Sequence, residues 1–329
     1  MTLLVKALTP FLANDDSVNE LFAPPYDIVT HAQVQAYLND KPNSIMSVTR
    51  PDGLFDKSIE PEMIEKGYQA ALSALKEKQT SLYHKHEHAC FLIYQIEGKN
   101  VLQTGLLCLA DSQRVMKHEL TRKAKVDDRI ALSNALNCQI SPVMLCTNAQ
   151  VNLAAHLTAQ MADLSPLYDV SHQDYQHRLF LIDEPIKVAK LQDFFSDDKT
   201  IYITDGHHRS QTQLTRYEQN PKSVSPHVLS VIFPGEALKI LGYHRIVKMP
   251  NNTELTQFWA AVETHFDVKE IKHGLLPSID TEFGCYVNKQ WYQLNSRDKN
   301  TQNLAIDILH GKLIETFFNV TNPKEDPNI

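Results

Sequence analysis

Two hydrophobic periods run through the chain. Ile64, Tyr68, Ala71 and Leu75 recur at three- and four-residue spacing, which predicts a helix over 58–78 with one stripe on a core and Pro61 in its first turn. Two runs rich in apolar residues, 89–96 and 101–110, flank Glu97-Gly98-Lys99-Asn100 and predict an antiparallel hairpin. Further strands are expected over 43–49 (ending in Arg50), 142–147, 165–170, 178–183, 200–204, 227–234 and 238–247, and helices over 30–38, 149–162, just before 200 and over 209–217. At Met249-Pro-Asn-Asn-Thr253 the pattern breaks, and Leu255, Phe258, Trp259 and Val262 begin a separate helical unit that runs through a last hairpin to a helix near 303–318. The expected class is α+β, a mixed and largely antiparallel sheet with flanking helices. A core over 1–250 and a smaller C-terminal α/β subdomain over 251–329 are expected, without internal repeats.

Composition narrows the class. At 329 residues the chain exceeds the usual single-domain size, and 43% hydrophobic with 22% charged residues is ordinary for a soluble globular protein. A net charge of −7 argues against sequence-independent binding of nucleic acid or membrane, so neither is expected as a partner. The five cysteines, Cys90, Cys108, Cys138, Cys146 and Cys285, are odd in number and form no CxxC pair, so no disulfide framework or thiolate zinc site is indicated. With no basic leader followed by a long apolar run, a reducing cytoplasm is the expected compartment.

The densest chemistry lies in Thr200-Ile-Tyr-Ile-Thr-Asp205-Gly206-His207-His208-Arg209-Ser210. A β-branched and aromatic strand leads through an Asp-Gly bend into helix-compatible residues. Two imidazoles and a guanidinium thus fall at a helix start, whose first N–H groups lack intrahelical partners and attract anions. That combination suits a phosphate, and Asp205 one step earlier is placed to hold Mg²⁺ or polarise a nucleophile. The plain alternative is a capped turn with solvated histidines.

Over 114–129 the acidic chain turns basic, with six Lys/Arg against three carboxylates, and an exposed loop able to fold over a polyanion is expected. Within it Glu119 sits among positive charges that keep it ionised, as a general base must be, while His118 can orient it or a phosphate and Lys117 adds a cation. In Phe22-Ala-Pro-Pro-Tyr26-Asp27 the prolines hold a ring and a carboxylate at a fixed angle. Arg50, Arg129, His244 and Arg245 complete the candidate substrate contacts. His84, His86 and His88 alternate as strand-borne metal ligands would, but without a fourth ligand nearby solvated histidines are the expectation.

Taken in order, Ala23-Pro-Pro-Tyr-Asp27, Val48-Thr-Arg-Pro51, Lys117-His-Glu119, Asp127-Asp-Arg129, Asp205-Gly-His-His-Arg209 and Asn322-Pro-Lys-Glu-Asp326 make the chain resemble domain-of-unknown-function family 1015 over nearly its whole length. Members usually continue past the stretch similar to Asp326-Pro-Asn-Ile329, so the resemblance implies a short member or a fragment. The His-Glu pair and the downstream Asp-Gly-His-His-Arg also resemble, over those two motifs alone, the SerK-type free serine kinases of the ParB and sulfiredoxin-like superfamily. That likeness implies a ParB/sulfiredoxin-like central part, Glu119 as base for a serine hydroxyl and Asp205 as a catalytic aspartate. It also implies that Gly206, His207, His208 and Arg209, with Lys117 and His118, bind nucleotide phosphates. The implied cofactor is Mg²⁺ with ATP or ADP, and the implied partners are a nucleotide and a small hydroxylated metabolite, free L-serine being the model. The alternative is a nucleotide-gated, ParB-like switch module without acceptor phosphorylation, for which a base such as Glu119 has no use. The sequence carries no signal for the oligomeric state.

Overall fold

In the computed structural model the described residues are all but 1–2, 57–63, 149–150, 173, 197–198, 240–241, 243, 251–253, 280, 299–302 and 324–325. Pro61 and the start of the helix expected from 58 lie outside them. The chain divides into two compact units, Met1–Lys239 and Ile240–Ile329.

The first unit contains β1 (Val5–Lys6), β2 (Phe11–Ala13), α1 (Val18–Leu21), α2 (His31–Asp40), α3 (Met46–Thr49), α4 (Ile64–Ser81), β3 (Tyr83–Lys85), β4 (Phe91–Gly98) and β5 (Val101–Asp111). It continues with α5 (Lys123–Leu136), β6 (Val143–Thr147), α6 (Leu153–Met161), β7 (Tyr168–His172), β8 (Tyr175–Ile182), α7 (Pro185–Phe194), β9 (Ile201–Asp205), α8 (His207–Gln219) and β10 (His227–Phe233). The main sheet runs β7-β8-β4-β5-β10-β6-β9, with β1 also paired to β5. Among its described strands β10 and β6 pair in parallel and the other pairs are antiparallel. The protein is therefore α+β with a mixed, mostly antiparallel sheet.

Side-chain alternation divides the core. Phe91 and Ile93 of β4 enter one buried cluster with Ile201 and Ile203 of β9, Leu153 and Leu157 of α6 and Leu191 of α7. Leu92, pointing the other way, joins Leu8, Leu12 and Tyr168. Each fully buried aliphatic or aromatic side chain contributes roughly 1.5–3 kcal/mol. A third cluster, Val48, Ala71, Leu75, Leu132 and Leu136, ties α3, α4 and α5 together, and the helical spacing expected over 64–75 supplies its α4 members.

Three expectations fail for local reasons. The run 43–49 forms no strand: residues Met46–Thr49 are helical and all buried, so they show no alternation to separate strand from helix. Ser44 starts the turn, donating from Oγ to the Phe22 carbonyl at 2.8 Å and accepting from the Met46 N–H at 3.2 Å. Between 238 and 247 no described residue is in a strand. The His244 ring lies against Gly242, where a β-carbon would come within 2.9 Å of its Cε1. The basic segment is a loop only in its first half, because α5 begins at Lys123, with Val126 buried and Lys123 paired to Asp127 at 2.6 Å one turn on.

The second unit holds α9 (Leu255–His265), β11 (Phe266–Ile271), β12 (Glu282–Val287), β13 (Gln290–Ser296), α10 (Ala305–Leu309) and α11 (Glu315–Phe318). Its sheet runs β11-β13-β12 and closes over Phe258, Val262, Phe266, Phe283, Leu294, Ile308 and Leu313. No helix among the described residues is long and apolar enough to cross a membrane.

Candidate functional site

The site grows from β9. Ile201 and Ile203 are buried while Tyr202 and Thr204 face outward, so the strand lies at the sheet's edge with one face on the core. Gly206 follows with φ of +92°, a left-handed conformation that glycine adopts without the clash a β-carbon brings. α8 then starts at His207, two residues earlier than the sequence pattern suggests. Its buried residues are polar: His207, Ser210, Thr212 and Gln213. An ordinary surface helix would put aliphatic groups there; here Thr212 donates to the His208 carbonyl at 2.8 Å and Gln213 to that of Ser225 at 2.6 Å.

The segment before α5 docks on this strand and helix. Met116 joins β9 as an extra parallel bridge, its N–H donating to the Ile201 carbonyl at 2.8 Å and its carbonyl accepting from the Ile203 N–H at 3.0 Å. That bridge brings the following residues over α8. Lys117 Nζ donates to Gln211 Oε1 at 2.9 Å. The His118 ring stands edge-on to His207 at a centroid distance of 4.4 Å. Glu119 Oε2 lies 3.4 Å from His207 Nδ1. The Arg122 backbone N–H donates to His208 Nε2 at 3.0 Å, which makes Nε2 the accepting nitrogen of His208 and leaves its proton on Nδ1.

Charges are uneven across the cluster. The Glu119 side chain is 45% exposed and that of His207 only 4%. Burial, followed by the neighbouring His118, pushes the His207 pKa down, with Glu119 acting in the opposite direction. Asp205, its side chain 66% exposed, pairs through Oδ2 with Arg209 Nη2 at 2.5 Å. Arg209 also donates to the Pro142 carbonyl and, at 3.4 Å, to that of Ser141.

A second group of predicted residues meets the first at Tyr26. Burial raises the pKa of its phenol, while Arg129 and Arg209 lower it and Asp27 and Asp205 add to the rise. The Arg129 guanidinium carbon sits 4.8 Å from the Tyr26 ring centroid. Arg129 is itself held by Asp128, with Nε and Nη2 donating to Oδ2 at 2.9 and 2.7 Å. Tyr26, Arg129, Arg209, Ser133, Gln139 and Ser141 help line a cleft of about 50 Å³ between α5, α8 and the Tyr26 loop. This is room for a few waters, hence for a small metabolite's polar group, and far too little for a nucleotide.

Arg50 does not line this cleft. Its Nε and Nη2 grip both oxygens of Asp52 at 2.8 Å, and Nη1 donates to the Tyr26 and Val29 carbonyls, each at 2.8 Å. Burial works against the Asp52 charge, but the hydrogen bonds from Arg50 and His31 hold its pKa below the ordinary carboxylate value. Arg50 therefore fixes the loop that presents Tyr26. His244, exposed, and Arg245, half-buried, belong to the Ile240–Ile329 unit. His84 meets Asn14 at 3.1 Å and His86 lies 3.4 Å from Asp183. Among the described residues no group of three His, Cys, Asp or Glu is placed to hold a metal ion.

Gln213, which lines the cleft, was not legible as a site residue, and neither were the supports Arg216 and Asp52. Arg216 pins α8 to α5 through Asn134 Oδ1 at 2.9 Å. A hint lay in α8 itself, a packed helix whose only apolar side chains are Leu214 and Tyr217.

Fold and site together define an α+β protein in which an edge strand, a left-handed glycine and a polar-faced helix gather histidines, arginines and two carboxylates. A model of the family described as protein of unknown function, DUF1015, matches residues 8–313, and the chain belongs to that family. No curated protein and no solved structure matches it.

Proposed function

We propose that the protein is a nucleotide-dependent phosphotransferase acting on a small hydroxylated metabolite, with free L-serine as the model acceptor. One observation carries this: Glu119, a half-exposed carboxylate, is held at 3.4 Å from His207, the first residue of a helix whose start suits a phosphate. A switch that only holds a nucleotide has no need of a base at that place. The likeness of His118-Glu119 and Asp205-Gly-His-His-Arg209 to the free serine kinases of the ParB/sulfiredoxin-like superfamily points the same way.

In this reaction ATP or ADP places its phosphates at the start of α8. Arg209 and Lys117 balance the charge, and the first backbone N–H groups of the helix, with His208 through Nδ1–H and His118, donate hydrogen bonds. A polar group of the acceptor enters the cleft beside Tyr26 and Arg129. Its hydroxyl oxygen attacks the terminal phosphorus, Glu119 receives the hydroxyl proton, and the bond from phosphorus to the bridging oxygen breaks, releasing the shortened nucleotide. Asp205 suits Mg²⁺, which takes one or two carboxylates together with phosphate oxygens and water, and the ion would supply charge neutralisation on the phosphates.

Phosphorus NMR tests this with ATP or ADP, Mg²⁺ and a panel of hydroxylated metabolites that includes L-serine. A new phosphomonoester is expected. Glu119→Gln should keep nucleotide affinity and lose turnover by roughly 10²–10⁴-fold, whereas Asp205→Asn should also disturb metal-dependent nucleotide binding. Nucleotide binding without transfer to any acceptor would instead favour the switch module.

A further inference from the structure

The two histidines of the Asp205-Gly-His-His-Arg209 box face different surroundings. His207 is 5% exposed and covered by the His118 ring. Its Nδ1 lies 3.4 Å from Glu119 Oε2, and its Nε2 is buried with no hydrogen-bond partner. A neutral imidazole carries one N–H and one lone pair. With the proton on Nε2, a buried donor would go unsatisfied and the Nδ1 lone pair would face the carboxylate's own lone pairs. With both nitrogens protonated, a charged group would be buried with one N–H unmatched, a costly arrangement. A proton on Nδ1 aims a donor at Glu119 and leaves only an acceptor without a partner.

We infer that His207 is a positioning residue and not a phosphate ligand: a neutral imidazole whose Nδ1–H orients the Glu119 carboxylate that receives the acceptor's proton. The role in turnover rests on the phosphotransferase proposal, whereas the tautomer and the pairing rest on the geometry alone. The box is then divided. His207 turns inward and serves Glu119 on the facing segment, while His208 and Arg209 remain for the phosphates. Orienting partners of this kind act through the group they hold, so their loss lowers turnover without loosening the ligand.

Three substitutions separate positioning from phosphate binding. His207→Asn puts an amide N–H near the place of Nδ1, His207→Gln reaches the place of Nε2, and His207→Leu removes both. With ATP, Mg²⁺ and L-serine, the Gln and Leu variants are expected to lose turnover by roughly 10–100-fold, the usual scale for an orienting partner. The Asn variant should recover most of that loss, and ATP affinity should stay at the wild-type value in all three. Nitrogen NMR of imidazole-labelled wild-type protein gives a reading independent of the variants' folding and of turnover: at pH 7.5, Nδ1 should be protonated and Nε2 bare, and Glu119→Gln should move the His207 signals. An Nε2–H tautomer, a Gln variant equal to the Asn variant, or ATP affinity falling in all three as it does in Arg209→Ala would overturn the assignment. Absence of turnover in the wild type would reject the phosphotransferase proposal, and the imidazole spectrum would then decide the pairing by itself.

Discussion

The Arg209 guanidinium lies against Gly206 so closely that a β-carbon there would come within 3.1 Å of its Cζ and Nε. The bend and the arginine are thus one device: backbone at φ of +92° leaves the space in which Arg209 reaches Asp205 and the Pro142 carbonyl. Gly206→Ala should cost about 1–2 kcal/mol for the left-handed conformation alone and, on the phosphotransferase proposal, should weaken ATP binding by displacing Arg209. Chemical denaturation and calorimetry check this; an alanine variant equal to wild type in both would separate the bend from the arginine.

Arg50 makes its hydrogen bonds with a planar fork, two to Asp52 and two to loop carbonyls, which an ammonium does not reproduce. Arg50→Lys should lower stability by about 2–3 kcal/mol, the scale of losing charged hydrogen bonds in a part-buried setting. Hydrogen exchange should show the added opening concentrated at 22–31. Wild-type stability in Arg50→Lys would return Arg50 to the list of substrate contacts.

The segment 116–122 is held to β9 at Met116 and to α8 by the bond from the Arg122 N–H to His208 Nε2. His208→Ala removes that acceptor, so the Arg122 amide should exchange faster while the Met116 amide, bonded to the β9 backbone, keeps its protection. Equal exchange at Arg122 in the two proteins would show that His208 does not anchor the segment.

His227 is fully buried in β10, its Nε2 2.8 Å from the Leu3 carbonyl and its Nδ1 3.2 Å from Ser225 Oγ. Burial lowers its pKa, although the Leu3 carbonyl pulls the other way, and burial lowers those of His207 and His156 as well. The native state therefore refuses protons that the unfolded chain accepts below the ordinary imidazole value of about 6.5. Stability should be fully present above that value and decline as pH falls through it towards the lowered native values. Asp52, whose pKa is also lowered, loses its contribution only below the ordinary carboxylate range of about 4 and does not act in this window. Urea midpoints at pH 7.5 and 5.5 should differ accordingly, with a smaller difference in His227→Gln. An unchanged midpoint would contradict the buried, neutral state of these imidazoles.

The sequence by itself determined what neighbours along the chain decide. The strand, Gly206 and the following helix were legible because β-branched alternation, a residue tolerant of positive φ and helix-compatible residues act over a few positions. The hairpin of β4 and β5 and the α4 stripe were legible for the same reason. Where local preference was ambiguous, packing chose: the run around Met46 is buried on every side and became α3, and residues from Lys123 joined α5 because Val126 had a core to enter. Only the tertiary structure decided the roles within the site. The Met116 bridge on the edge of β9 carries Glu119 to His207, the fold of the Tyr26 loop assigns Arg50 to Asp52 and not to a ligand, and the packing of α8 buries one histidine of a consecutive pair while the next meets Arg122. Except for Arg50 and Asp52, which are two positions apart and are set by the fold of the Tyr26 loop, those pairings join residues far apart in the chain, and their energies depend on distances and burial that no local pattern of residues contains.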